Sequence, residues 1–141
     1  MEESTKLKKA LLAFSLAILP ACATEISYNG VGVQTFNVLT TGTYDIVAYG
    51  AQGGTSTSLP NPGGLGAEIG GIFNLTAGEI LDIYVGGEGV SNSGAAGGGG
   101  GTFVVISGIT PTLELVAGGG GGGEIGSNGL GGLTTQNGGP G

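Results

Sequence analysis

The tripeptide Leu115-Val116-Ala117 runs directly into six consecutive glycines at positions 118–123, and this junction decides the architecture of the chain. A second glycine run, at positions 97–101, directly precedes another apolar segment at positions 102–106. Glycine is the commonest residue, at 35 of 141. Both runs therefore adjoin strand-like sequence, and their role depends on whether these strands belong to one domain.

Six segments with alternating or continuously apolar sequence predict β-strands. β-branched and aromatic residues are frequent in them, and glycine, proline or asparagine separates them. The segments cover residues 33–39, 43–50, 67–75, 80–85, 102–107 and 113–117. We expect the first two to form an antiparallel hairpin, and we expect Tyr84 to fill the interior of the domain.

The predicted fold class is all-β, an antiparallel sandwich. No segment after residue 23 predicts a helix, because glycine costs about 1 kcal/mol more than alanine at each helical position. Residues 53–66 are predicted to form a loop without regular structure, since Pro60, Pro62 and several glycines interrupt them.

The N-terminal 23 residues predict a secretory signal peptide with a helical apolar core. Lys6, Lys8 and Lys9 provide a basic start, residues 10–19 are apolar, and Ala21 and Ala23 match a signal-peptidase site. The apolar run is too short for a membrane span. We therefore expect a signal peptide at 1–23 and a glycine-rich domain at 24–141 in a secreted, periplasmic or cell-surface protein.

Two alternatives to this interpretation of the N-terminus remain open. The first 23 residues could instead form a buried helix. Residues 19–22 also approximate a lipoprotein box, in which Cys22 would be lipidated and would anchor the chain to a membrane. Membrane association is expected only in that second case.

Cleavage after Ala23 would leave a chain with no Lys, Arg, His or Cys. Of the ten acidic residues, only Glu2 and Glu3 precede the cleavage point, so eight remain. Such a chain cannot neutralise phosphates, which argues against nucleic-acid binding. Its acidity favours a basic partner, either an extracellular protein or a glycan.

Three interpretations of the glycine runs compete. A flexible linker would separate domains, whereas these runs lie between strands of one domain. A phosphate-cradling loop lacks the required glycine spacing and a lysine. In the third interpretation, which we favour, the runs form polyglycine II helices held by the sandwich; six residues would span roughly 19 Å. The predicted structural glycines are Gly97, Gly98, Gly99, Gly100, Gly101, Gly118, Gly119, Gly120, Gly121, Gly122 and Gly123.

Several motifs, in the same order, resemble the extracellular glycine-rich domain of the anaplastic lymphoma kinase and leukocyte tyrosine kinase receptors. They include Thr43-Tyr44-Asp45-Ile46-Val47-Ala48-Tyr49-Gly50-Ala51-Gln52-Gly53-Gly54, Gly71-Ile72-Phe73-Asn74-Leu75 and the strand with its exit at positions 81–89. The likeness spans about residues 33–125 and also extends to bacterial secreted glycine-rich proteins. It implies a tumour-necrosis-factor-like sandwich with polyglycine II insertions, and binding of a protein ligand.

The chain departs from the receptors in lacking their cysteines, a transmembrane helix and a kinase domain, so the resemblance gives no support for kinase activity. It also stops where the family continues, and we expect the domain to be C-terminally incomplete.

No cofactor and no catalytic site is expected, because nucleophilic catalysis would lack a His, Lys or Cys. Glu79 and Asp82 could form an acid pair, and weak calcium binding stays open beside a purely solubilising role. The sequence thus favours a secreted glycine-rich binding or structural module. The alternative is a fragment resembling a receptor ectodomain that binds a protein ligand.

Overall fold

The computed structural model describes residues 5–10, 24–59 and 61–134, and in these ranges it shows eight β-strands and no helix. The strands are β1 (Thr5–Ala10), β2 (Thr24–Tyr28), β3 (Gly32–Asn37), β4 (Gly42–Tyr49), β5 (Glu68–Leu75), β6 (Ile80–Val85), β7 (Thr102–Ile106) and β8 (Thr112–Ala117). The last six coincide, within two residues at their ends, with the six strands predicted from the alternation of side chains. The all-β class is confirmed.

The strands form two four-stranded sheets with the orders β2-β1-β4-β5 and β3-β6-β7-β8. Neighbouring strands are antiparallel throughout both sheets. Across the interface between the sheets, β4 packs against β7 and β8, and β5 packs against β8. This arrangement is consistent with the predicted antiparallel sandwich.

The core lies between the sheets, and alternate residues of the strands point into it. From β4, Tyr44, Ile46 and Ala48 are fully buried, and they alternate with half-buried residues as the period of two predicts. Leu75 of β5 is buried in the same sheet, and the facing sheet contributes Leu81, Ile83, Val104 and Leu115.

The predicted hairpin of the first two strands is wrong, because β3 and β4 lie in different sheets. Val38 is buried in the core just after β3, and its backbone bonds to the β5–β6 turn: its N–H donates to Glu79 and its carbonyl accepts from Gly78. The Tyr44 hydroxyl donates to the Thr40 carbonyl at 2.7 Å. These contacts direct the connection from one sheet to the other.

The N-terminal region contains a strand that the sequence did not predict. β1 (Thr5–Ala10) lies between β2 and β4 and pairs with both. Residues 11–23, which hold most of the apolar run and the predicted processing site, lie outside the described residues. The signal peptide and its helix therefore stay predictions.

Candidate functional site

Glycine-rich segments extend from one end of the sandwich, and together we call them the glycine bundle. Antiparallel pairing places the ends of β4, β6 and β8 beside the starts of β5 and β7, so the chain leaves and re-enters the sandwich at a single end. The bundle comprises segments I (50–54), II (62–67), III (86–90), IV (96–101), V (118–123) and VI (129–133).

Neighbouring segments exchange backbone hydrogen bonds at intervals of three residues. Between segments I and II, Gly50 N donates to Ala67 O and Gly53 N donates to Gly64 O, both at 2.9 Å. A β-ladder repeats every two residues. The spacing of three therefore distinguishes these segments from the strands that they continue.

Segment V bonds to four different neighbours, whereas a β-strand bonds to at most two. It pairs with segments I, II, IV and VI through Gly120 N→Ala51 O, Gly64 N→Gly121 O, Gly99 N→Gly120 O and Gly121 N→Leu130 O, at 2.7–2.9 Å. Hydrogen bonds that leave the segment in several directions make it the centre of a three-dimensional backbone network. Such a network satisfies peptide groups that a buried loop would leave without partners.

The distances within the bundle exclude side chains. A Cβ atom at Gly120 would lie 1.9 Å from the carbonyl oxygen of Gly64, and one at Gly53 would lie 2.0 Å from that of Gly121. Both separations are far below van der Waals contact, and both involve backbone that cannot rotate aside. Glycine is required at these positions because the segments lie too close together for any Cβ.

Backbone conformation is not the reason for glycine in the bundle. Among the described residues, positive φ angles occur at Gly32, Gly78 and Gly126, and all three lie outside the six segments. A residue with a side chain could adopt the bundle's dihedral angles. Glycine is therefore required because it lacks a Cβ atom, not because its backbone can adopt unusual dihedral angles.

The two predicted glycine runs belong to the bundle but differ in how tightly their members are enclosed. In segment V, a Cβ at Gly119, Gly120, Gly122 or Gly123 would lie within 2.1 Å of a backbone oxygen. In segment IV, Gly99 is equally confined at 2.2 Å, whereas the nearest atom at each of its four glycine neighbours is 3.1–3.4 Å away.

The predicted processing residues Ala21, Cys22 and Ala23 lie outside the described residues.

The bundle also includes glycines outside the two long runs, which were not predicted from the sequence. A Cβ would lie within 2.5 Å of backbone at Gly50, Gly53, Gly54, Gly63, Gly64, Gly66, Gly86, Gly89, Gly129 and Gly132. Several of these were assigned to an irregular loop at 53–66, and that prediction is wrong for the glycines of segments I and II. Their signal is the spacing of three, as in the pairs Gly63/Gly66 and Gly86/Gly89.

A buried hydroxyl joins the bundle to the sandwich. Thr102, at the start of β7, is fully buried, and its Oγ1 accepts a hydrogen bond from the N–H of Gly86 at 3.2 Å. Gly86 begins segment III directly after β6. This contact holds the start of segment III against β7, the strand that follows segment IV.

The outer face of the second sheet carries an exposed apolar row that crosses all four strands. The register places Val33 opposite Tyr84, Tyr84 opposite Phe103, and Phe103 opposite Val116. These four side chains are 36–61 % exposed. We call them the apolar row. Tyr84 was expected in the interior, and that prediction is wrong, because the buried positions of β6 are Leu81, Ile83 and Val85.

The predicted acid pair, Glu79 and Asp82, has different hydrogen-bond partners for each carboxylate. Glu79 accepts a hydrogen bond from the N–H of Thr76 at 2.8 Å, whereas Asp82 accepts from the hydroxyls of Thr35 and Ser107. Within residues 5–10, 24–59 and 61–134, no three or more His, Cys, Asp or Glu side chains are grouped as metal ligands.

The chain was compared with models of known protein families, and no family model matches it. In the part of the chain that the structure describes, no helix has the length and apolar character needed to cross a membrane.

Proposed function

We propose that the chain is a secreted or cell-surface binding module without catalytic activity, built from a β-sandwich that holds a polyglycine II bundle. The observation that carries the binding role is the apolar row: four adjacent apolar side chains, two of them aromatic, lie exposed across a paired sheet. Contiguous exposed apolar surface is typical of interaction sites.

The three-residue hydrogen-bond spacing supports the polyglycine II assignment. Polyglycine II shares the geometry of polyproline II, which has three residues per turn and no internal hydrogen bonds, so its peptide groups point outward to neighbours. The bundle's bonds to several neighbours, its repeat of three and the absence of positive φ in its glycines agree with a left-handed helix of this kind.

The role of the bundle is to make one end of the sandwich rigid. A loop of this glycine content would lose about 1–2 kcal/mol of conformational entropy for each residue on ordering, and each hydrogen bond returns about 0.5–1.5 kcal/mol. A sandwich strand directly anchors one end of each of segments I to V. The apolar row lies near this end: Phe103 is the second residue of β7, and Val116 is the second-to-last residue of β8.

The proposed partner is an extracellular protein, and a basic one in view of the chain's acidity. Aromatic and aliphatic side chains at the centre of an interface supply most of the binding energy in such complexes. The resemblance to receptor ectodomains supports ligand binding as the more specific candidate, on a tumour-necrosis-factor-like sandwich. No kinase activity is part of the proposal.

The apolar row is tested by comparing Phe103→Ser with Ile72→Ser in binding assays on panels of extracellular proteins and of glycans. Ile72 is 75 % exposed on the edge strand of the other sheet and is the matched control. We expect protein ligands that bind the unmodified chain and the Ile72 variant but lose at least tenfold in affinity with Phe103→Ser. Equal affinity of both variants, or binding to glycans alone, would contradict the proposal.

The bundle is tested separately by amide hydrogen exchange. The Gly120 N–H, which is bonded to Ala51 O at 2.9 Å, should exchange at least a hundredfold more slowly than the amide of Gly94, which belongs to none of the segments. Exchange of both at random-coil rates would show that segment V is a disordered loop.

A further inference from the structure

The proposed processing after Ala23 has a consequence for the first sheet, because β1 lies in the part that would be removed. β1 occupies the space between β2 and β4. We propose that, in the processed chain, this space binds an extended basic strand of a partner polypeptide, which replaces β1 and completes the sheet. The inference rests on the proposed secretion and cleavage.

The space between β2 and β4 has the geometry of a strand-binding site, with a partner on each side. β1 pairs in register with β2 from Thr5↔Tyr28 to Lys9↔Thr24, and with β4 from Lys6↔Val47 to Ala10↔Thr43. An incoming strand would find backbone donors and acceptors along both edges. Two-sided pairing of this kind is a stronger form of the strand addition by which several domains bind peptides.

The inward positions of the site require apolar residues. Leu7 lies opposite Ile46, and Lys9 lies opposite Tyr44, and both of these β4 residues are fully buried on the core side of the sheet. An occupant of the processed chain therefore needs an apolar residue at each of these two register positions, because a charge on the inward row must be desolvated.

The outward position between Leu7 and Lys9 requires a cation. Lys8 lies opposite Glu25 of β2 and opposite Asp45 of β4. Oppositely charged residues on adjacent strands stabilise a sheet, whereas two acids flanking a neutral or acidic residue do not. Residues 24–141 contain no Lys, Arg or His. The cation must therefore come from outside residues 24–141, and a second copy of those residues cannot supply it.

The chemistry of the occupant follows from these two rows. It is an extended segment of about six residues, or roughly 20 Å, with apolar residues at the two inward positions and a Lys or Arg between them. This pattern differs from that of β1 only at the position of Lys9. It also gives a structural reason for the basic partner that the composition favours.

The experiment uses the chain as its host secretes it, and it first determines the N-terminus by mass spectrometry. A chain that begins at Thr24 has lost β1, whereas one that retains residues 1–23 overturns the proposed processing, and the site with it. This step separates a failure of processing from a failure of strand binding.

The processed chain is then titrated with a peptide of the sequence TKLKVA, which is β1 with Val at the position of Lys9. The matched control, TKLEVA, places an acid between Glu25 and Asp45. We expect the basic peptide to bind at least tenfold more tightly, to raise the melting temperature and to protect the β4 amides from exchange. Asp45→Asn should reduce that preference several-fold, and added salt should do the same.

Two outcomes of the titration would overturn the inference: equal affinity for the two peptides, or tight basic-peptide binding that Asp45→Asn leaves unchanged. A processed chain that melts cooperatively only after the basic peptide is added would support it, since the strand then completes the fold. Full-length chain that retains β1 should not bind either peptide.

Discussion

Gly120→Ala should destabilise the protein more than its single added methyl group suggests. The new Cβ would lie 1.9 Å from the carbonyl oxygen of Gly64, whereas ordinary contact begins near 3.4 Å. Segments II and V must then separate by more than 1 Å, unless the backbone of segment V rotates. Either movement breaks hydrogen bonds in which Gly120 takes part, to Ala51 O and from Gly99 N.

The magnitude follows from those bonds. Each contributes a net of about 0.5–1.5 kcal/mol, and a buried peptide group that loses its partner costs about 1–3 kcal/mol. Replacement of glycine by alanine returns about 0.4–1 kcal/mol by restricting the unfolded chain. The free energy of unfolding should therefore fall on the order of 2–4 kcal/mol, which corresponds to a decrease in Tm of roughly 8 °C or more in a domain of this size.

The control is Gly98→Ala, in the other glycine run, where the nearest atom to a new Cβ is 3.4 Å away. It should change stability by less than about 1 kcal/mol, in the stabilising direction. Both variants are measured by urea unfolding and by thermal melts followed with circular dichroism. Equal stabilities for Gly120→Ala and Gly98→Ala would refute the argument that the segments are packed too closely for a Cβ.

Three further substitutions test individual contacts. Thr102→Val removes the acceptor of the Gly86 N–H and should lower the free energy of unfolding by about 1–3 kcal/mol, measured by urea titration. Ser56→Ala removes a fully buried hydroxyl that has no hydrogen-bond partner among the described residues, and it should raise the same quantity by up to about 1 kcal/mol; a loss of stability would contradict this. Burial raises the pKa of Tyr28 above its ordinary value of 10.0, so the associated stability is present below pH 10 and is lost as the pH rises through the folded-state pKa. Tyr28→Phe should therefore flatten the alkaline end of a Tm-against-pH profile, and an unchanged profile would count against it.

The strands were predictable because their signal is local. In β4, the alternation of Tyr44, Ile46 and Ala48 with less buried residues follows directly from the pleat of a strand. The pairing of strands was not predictable in the same way. Residues 33–39 and 43–50 are adjacent in sequence, which favours a hairpin, but burial of Val38 and the bond from Tyr44 to Thr40 direct β4 to the other sheet.

The glycine bundle was predictable where glycines are consecutive and was missed where they are isolated. Segment II contains Pro62 and Leu65, which interrupt the glycines and resemble an irregular loop. Gly63, Gly64 and Gly66 are all confined, and only the side chain of Leu65 between them is exposed. The apolar row was also missed, although Asp82 on the same face as Tyr84 indicates which face of β6 turns outward.

The bundle requires glycine because there is no room for a Cβ atom, and not because the chain must be flexible. This limits how the protein can evolve. Glycine has no conservative replacement at a position where a Cβ would meet a carbonyl oxygen, since every other amino acid adds that atom. Gly120 and Gly53 therefore tolerate no missense change without a compensating shift of a whole segment. At Gly94 and Gly108 a Cβ would find open space, so these two glycines are free to vary. Related sequences should differ at the second pair long before they differ at the first.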